Sequence, residues 1–273
     1  MRRRRQQQRE RKLLHLGIEN DPNVQFQCKG ALGDYAACLC NNNVKEVAYL
    51  PDGSLFGPAI LENLRVLNIS ANIVLSEENI NFLDHTPRLK KLYLRRAFTT
   101  PLNKSNQFNL LIRLLEKAQL KRLEVLDLSY NYFNNIPFNL PCSLPSLRHL
   151  DLRQNMLKTL SLNISCLPRI SKINLERNYF HFLDSEFQTF GEQLNKNNAL
   201  TQLQLKNNFY CDCNSNIWIK WIREHSNMID DYRALICSRS SPPKFTGTRL
   251  SECWVFAVSE LRIYLPKPPY PAL

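Results

Sequence analysis

"LEVLDLSYN", residues 123–131, alternates apolar and polar positions and closes on an asparagine. In an extended segment alternate side chains share a face, so Leu126 and Leu128 point one way and Val125, Asp127 and Ser129 the other. The pattern is L-x-x-L-x-L-x-x-N, with Ile standing for Leu. It recurs upstream as "LRVLNISAN" from Leu64 and "LKKLYLRRA" from Leu89. It recurs downstream as "LRHLDLRQN" from Leu147, "ISKINLERN" from Ile170 and "LTQLQLKNN" from Leu200, and only Ala97 departs from the closing asparagine. The starts are 25, 34, 24, 23 and 30 residues apart. After Asn131, Asn155 and Asn178, apolar residues fall at the second and fifth places, in "NYFNNI", "NMLKTL" and "NYFHFL". One such unit cannot bury its apolar face alone; stacked units form a continuous core. The asparagine side chain is expected to satisfy backbone groups of the turn within and between rungs.

This periodicity predicts an α/β solenoid: a leucine-rich repeat horseshoe with a parallel concave β-sheet and cysteine-rich caps. The expected organisation is a basic disordered tail (1–20), an N-terminal cysteine-rich cap and first strand or strands (21–60), and leucine-rich repeats (61–208) with an insertion at 97–120. A C-terminal cysteine-rich cap (209–255) and a Pro-rich tail (256–273) follow. Within the insertion, "NQFNLLIRLLEKAQL" (106–120) carries Leu110, Leu111, Leu114 and Leu115 at helical spacing, and the stretch before it, "RRAFTTPLNKSNQ", reads as a loop. A loop held between rigid rungs is a candidate binding protrusion; a tolerated surface insertion is the alternative.

The 273 residues are 44% apolar with a net charge of +12, half of it from the first twelve, "MRRRRQQQRERK". Such an arm is a solvated tail or an anion-binding segment. The remaining charge is spread too thinly to mark a nucleic-acid footprint. No apolar run approaches the ~20 residues that cross a bilayer, and the basic start is not followed by a secretory apolar core. A membrane anchor is expected in the full-length protein rather than in this chain.

Nine cysteines lie at 28, 38, 40, 142, 166, 211, 213, 237 and 253. Cys211 and Cys213, one residue apart on an extended strand, run parallel and should seek distant partners, for which Cys237 and Cys253 are the candidates. Zinc is the competing reading, but C-x-C lacks the gap common in structural zinc sites. "IWIKWI" reads as a short helix whose Trp218, Trp221 and Ile222 cover the last rung. Cys142 and Cys166 stand one rung apart, and buried free thiols are favoured over a rung-to-rung disulfide. Asn68, Asn103 and Asn163 each begin an N-x-S sequon and are candidate glycosylation sites.

The spacing C-x-C-x23-C-x15-C is similar to the C-terminal cap of extracellular leucine-rich proteins, and that likeness implies the bridges Cys211–Cys237 and Cys213–Cys253. "VQFQCKGALGDYAACLCNNN" resembles the N-terminal cap, which normally holds four cysteines; here Cys28, Cys38 and Cys40 are the three. The order of "LLIRLLEKAQLKRLEVLDLSYNYFNNIP", "LPSLRHLDLRQNMLKTLSLNIS" and the "CDC…W…C…C" cap resembles the ectodomain of the trophoblast glycoprotein (Wnt-activated inhibitory factor) family. The resemblance covers roughly residues 60–255. It implies a glycosylated, single-pass cell-surface protein that inhibits Wnt/β-catenin signalling and affects adhesion and motility.

No Gly-rich phosphate loop, H-E-x-x-H or nucleophile elbow occurs, and the five histidines are scattered. The sequence reads as a binding protein, not an enzyme, with no catalytic residue, no metal set and no cofactor. The register turns the polar residues of each motif outward on the concave wall. Lys91, Tyr93, Arg95, Arg96, Asp127, His149, Asp151 and Arg153 are the candidate partner-binding residues, centred on the basic row with its aromatic middle. The expected partner is a protein ligand or receptor, with a Wnt receptor component implied by the resemblance; no small-molecule substrate and no nucleic acid is expected. The expected place is the cell surface or the extracellular space. The other reading is an intracellular leucine-rich scaffold whose Arg-rich arm binds RNA or anionic lipid, or else a general adhesion ectodomain.

Overall fold

The computed structural model describes residues 46–47, 64–68, 82–97, 104–197, 201–212, 217–230, 232–241 and 243–253. Cys28, Cys38, Cys40, Cys213, Asn103 and both predicted tails lie outside the described residues. Seven short strands form one parallel sheet in chain order: β1 Glu46–Val47, β2 Val66–Asn68, β3 Lys91–Tyr93, β4 Val125–Asp127, β5 His149–Asp151, β6 Lys172–Asn174 and β7 Gln202–Gln204. The register pairs Leu67, Leu92, Leu126, Leu150, Ile173 and Leu203 in one row. That row and the next, Leu94, Leu128, Leu152, Leu175 and Leu205, are fully buried. Both leucines of each motif therefore face inward, as a period of two requires. The protein is a leucine-rich repeat solenoid, and β1 adds a rung ahead of the six motifs.

Strands β3 to β7 are each followed by a left-handed residue just before the last position of the motif. Arg96, Tyr130, Gln154, Arg177 and Asn207 all have positive φ, between 51° and 63°. An L-residue pays about 1–2 kcal/mol there, and the asparagines that follow compensate. Asn155 Nδ2 donates to Leu128 O (3.1 Å) and Leu152 O (2.9 Å), while its Oδ1 accepts from the backbone N–H groups of Asn131 and Phe133, both at 3.0 Å. Asn131, Asn178 and Asn208 bridge neighbouring rungs in the same way and are all buried. On the convex side Phe133, Ile136, Leu157, Leu160, Phe180 and Leu183 fill the rungs from the second and fifth places after the asparagines.

The insertion helix is α1, Lys104–Ala118, with Leu110, Leu111, Leu114 and Leu115 buried. It begins ahead of the expected helical stretch 106–120, so Lys104 and Ser105 belong to a helix and not to the expected loop. A second helix, α2 Ser185–Asn197, accounts for the long step before Leu200. Asp184 caps it, accepting from Phe187 N at 2.8 Å, and Phe187, Phe190 and Leu194 form its buried stripe.

Two features close the convex side and the C-terminal end. Cys142 and Cys166 sit on 3-10 turns, Leu140–Ser143 and Ile164–Cys166, and are bonded to each other. This corrects the expectation of buried free thiols: equivalent positions on adjacent rungs bring the Cα atoms to 4.7 Å, and Cys142 is exposed. At the end, Leu203 N donates to Met228 O (2.7 Å) and Asp230 N to Leu203 O (2.9 Å), so residues 228–230 cover the open edge of β7. Strands β8 Tyr210–Asp212 and β9 Arg239–Ser241 pair beside it, and Cys211 is bonded to Cys237. Cys253 is also disulfide-bonded. The sulfurs of Cys211, Cys237 and Cys253 lie within 4.8 Å of one another, but as disulfides they do not offer the thiolates a zinc site needs. Helix α3, Ile217–Glu224, packs Trp218 on Phe209 (4.9 Å) and Trp221 on Phe187 (6.1 Å). Gly191 of α2 makes room for Trp221: a Cβ there would lie 2.6 Å from the indole.

Candidate recognition surface

The concave wall is where the outward residues of successive rungs meet in register. Its middle row, Tyr93, Asp127, Asp151, Asn174 and Gln204, is only partly available to a ligand. Asp127 Oδ1 accepts from Ser129 N at 2.8 Å, Asp151 Oδ1 from Arg153 N at 3.0 Å and Asn174 Oδ1 from Glu176 N at 3.0 Å. Each side chain thus closes a small turn at its strand's end. Asp127 is 8% exposed and Ser129 0%. Asp127 is therefore corrected from a partner-facing residue to a buried structural one. The alternation argument finds the face but not the depth, because Asp is short and is drawn to the backbone N–H two residues on. Asp151 is half-buried, and its other oxygen lies 3.3 Å from Arg153 Nε. Burial raises its pKa; the Arg153 backbone bond opposes that, and Asp127 adds to it.

The remaining sequence candidates do reach the surface. Lys91, Arg96 and His149 are exposed, and Tyr93, Arg95 and Arg153 are intermediate. The structure adds a residue that alternation alone does not single out. Tyr130 presents its ring to two guanidinium groups, Arg95 at 4.2 Å and Arg96 at 5.0 Å from the ring centroid. Arg96 and Tyr130 are the left-handed residues of adjacent rungs, and Arg96 N donates to Ser129 O at 3.1 Å, which sets the stack beside the wall. The signal in the sequence was an arginine pair and a tyrosine at equivalent motif positions. His149 lies below the ordinary histidine value, first through partial desolvation and then through Lys172, Arg148 and Lys91.

A second exposed strip follows the turn asparagines. Tyr132, Met156 and Tyr179 take the next position on three rungs and are all exposed. Tyr179, His181 and Tyr210 continue it with ring centroids 6.3 and 6.2 Å apart. Of the sequons, Asn68 lies on β2 at intermediate exposure, and Asn163 caps the Ile164–Cys166 turn while its amide donates to Asn139 Oδ1 at 3.1 Å. Among the described residues, no helix is long and apolar enough to cross a membrane.

Residues 121–180 match the leucine rich repeat family. Mouse trophoblast glycoprotein is 31% identical over 121 residues, covering 44% of this chain and 27% of that protein. The macaque trophoblast glycoprotein is 25% identical over 223 residues, covering 66% of this chain and 50% of that protein. The chain is thus similar to trophoblast glycoproteins and is a leucine-rich repeat protein in fold. Mouse CD180 antigen is 28% identical over 196 residues, 70% of this chain and 27% of that protein. The crystal structure of human trophoblast glycoprotein (Wnt-activated inhibitory factor 1) shares the fold, with a TM-score of 0.53 at 21% identity over 76% of this chain and 81% of that one. The chain spans about a quarter to half the length of these curated relatives.

Proposed function

We propose that this trophoblast glycoprotein-like chain is an extracellular protein-recognition module, with its contact surface on the concave wall around Lys91, Tyr93, Arg95, Arg96 and Tyr130, flanked by His149, Asp151 and Arg153. The observation that carries the reading is the pair of guanidinium groups held over Tyr130. Arg and Tyr are the side chains most concentrated at binding hot spots, and a stacked arginine loses less freedom on binding than a free one. The disulfides Cys142–Cys166 and Cys211–Cys237 support an oxidising compartment. The name Wnt-activated inhibitory factor 1, borne by a human protein of the same fold, directs the first test to a Wnt receptor component.

The test is a Wnt reporter assay together with binding of the secreted chain to receptor ectodomains. Arg95→Glu with Arg96→Glu should weaken binding or inhibition at least tenfold without lowering the melting temperature. Gln202→Glu, exposed on the last strand, is the control. Gln204 is unsuitable, because its amide donates to Asp230 at 2.7 Å. Equal effects of the pair and the control, or none from either, would remove the proposed surface. Free thiols at Cys142, Cys166, Cys211 and Cys237 in native material would remove the extracellular reading.

A further inference from the structure

A second charged surface lies apart from the arginine–tyrosine stack, on the rim where the chain enters each strand. The rim is regular: Lys90 N donates to Arg65 O, Glu124 N to Lys90 O, Arg148 N to Glu124 O and Ser171 N to Arg148 O, at 2.7–2.9 Å. Tight turns precede the strands, and Arg88, Arg122 and Arg169 stand exposed on them at the same motif position, immediately before the first Leu or Ile. Lys91, His149 and Lys172 share one register row along the strands, with Arg148 exposed beside His149. Across 88–91, 121–124, 146–149 and 169–172 the only acid is Glu124. It is paired with Lys90 at 2.9 Å and kept below the usual carboxylate range by that bond, with Arg148 and Lys91 contributing. Ion pairing has therefore engaged one cation of the rim, while Arg88, Lys91, Lys121, Arg122, Arg148 and Arg169 are exposed.

We propose that this rim binds a linear sulfated polysaccharide laid along the solenoid, across the strands. Successive rungs present cations at the strand spacing of ~4.8 Å, so a chain running along the axis meets positive charge repeatedly over four rungs. A guanidinium fork donates to two oxygens of a tetrahedral oxyanion such as sulfate at once, as it does to phosphate, whereas an ammonium acts as a point charge. The entry turns expose Pro87, Pro145 and Pro168, and 87–91, 121–124, 145–149 and 168–172 hold no Phe, Tyr or Trp, so the rim reads charge density rather than an apolar protein epitope. Clusters of Lys and Arg serve sulfated glycans and nucleic acids alike. The choice of the glycan rests on the extracellular reading above. The rim shares Lys91 and His149 with the Tyr130 surface, but Arg88, Arg122, Arg148 and Arg169 lie on the rim alone, so substitutions there test it separately.

The experiment measures binding of the full chain to a heparin octasaccharide over a salt series, with the N-desulfated octasaccharide, polyglutamate, a single-stranded RNA and phosphatidylserine vesicles in parallel. Arg122→Ser with Arg148→Ser and Arg169→Ser should weaken heparin binding at least tenfold. The slope of log affinity against log salt should shrink by about 2–3, roughly one per removed contact. The same variant should keep its melting temperature and the Tyr130-dependent activity. The proposal is overturned if the triple variant binds as the parent does, if desulfation changes nothing, or if RNA, polyglutamate or vesicles bind more tightly than heparin. It is equally overturned if the loss follows Arg2→Ser through Arg5→Ser in the N-terminal arm instead of the rim. Free thiols in native material with heparin binding intact would sink the compartment and leave the site standing.

Discussion

The two rims of the sheet use polar side chains in opposite ways. Where the chain leaves each strand, Asn131, Asn155, Asn178 and Asn208 are buried and bonded to backbone groups of two rungs, and Asp127, Asp151 and Asn174 close turns on their own rung. Where the chain enters, Arg88, Arg122, Arg148 and Arg169 are exposed. The asparagines and aspartates of the first rim hold the solenoid together beside the stack of Arg95 and Arg96 on Tyr130. Among the described residues, the arginines of the second have no such structural partners at their side and are left for a ligand. The difference comes from reach: Asn and Asp are short enough to bond the local backbone and be covered, whereas Arg carries its charge out to water.

The sharpest way to break this contrast is Asn155→Ala. It removes four hydrogen bonds and leaves buried carbonyl and N–H groups without partners, each worth about 1–3 kcal/mol. Destabilisation of about 3–5 kcal/mol is expected by chemical denaturation, and a loss under 1 kcal/mol would show that the ladder is replaceable. Next in size is Asp127→Ala, which deprives Ser129 N of its acceptor in a buried setting; a loss of about 1–2 kcal/mol is expected. A comparable loss is expected on the convex side from Gly191→Ala, because the added methyl meets the Trp221 ring; overpacking of about 1–3 kcal/mol outweighs the ~1 kcal/mol gained in helix propensity.

A smaller effect distinguishes Asp151 by pH. Its folded pKa is raised, so the folded state holds the proton more tightly than the unfolded state, and stability falls as pH rises from the unfolded value of about 3.9 through the folded one. Asp151→Asn keeps the acceptor that Asn174 supplies on the next rung. The variant should be slightly more stable than the parent at pH 7, with the gap closing below about pH 4. A gap independent of pH would assign the effect to packing. Smallest of all, Arg148→Ser on the opposite rim should change stability by less than about 0.5 kcal/mol at any pH.

Much of this was legible in the chain itself. The period of the leucines determined the parallel sheet, its register and the residues facing inward, because a short strand has only two faces and water excludes one of them. The helical spacing of Leu110, Leu111, Leu114 and Leu115 and of the two tryptophans determined α1 and α3. Helix α2 was missed in the sequence, although Asp184 as a cap and Phe187, Phe190 and Leu194 as a stripe carry its signal, because the polar residues among them dilute it.

What only the tertiary structure decided is depth and neighbourhood. Asp127 and Asp151 occupy the same outward motif position, yet the first is buried and the second half-buried. Cys142 and Cys166 are merely 24 residues apart until stacking brings their Cα atoms to 4.7 Å. Arg95, Arg96 and Tyr130 belong to different repeats, and their stack exists because parallel rungs align equivalent positions side by side. Periodicity fixes which way a side chain points; how far it reaches before meeting another rung depends on the stacking, and no single motif contains that distance.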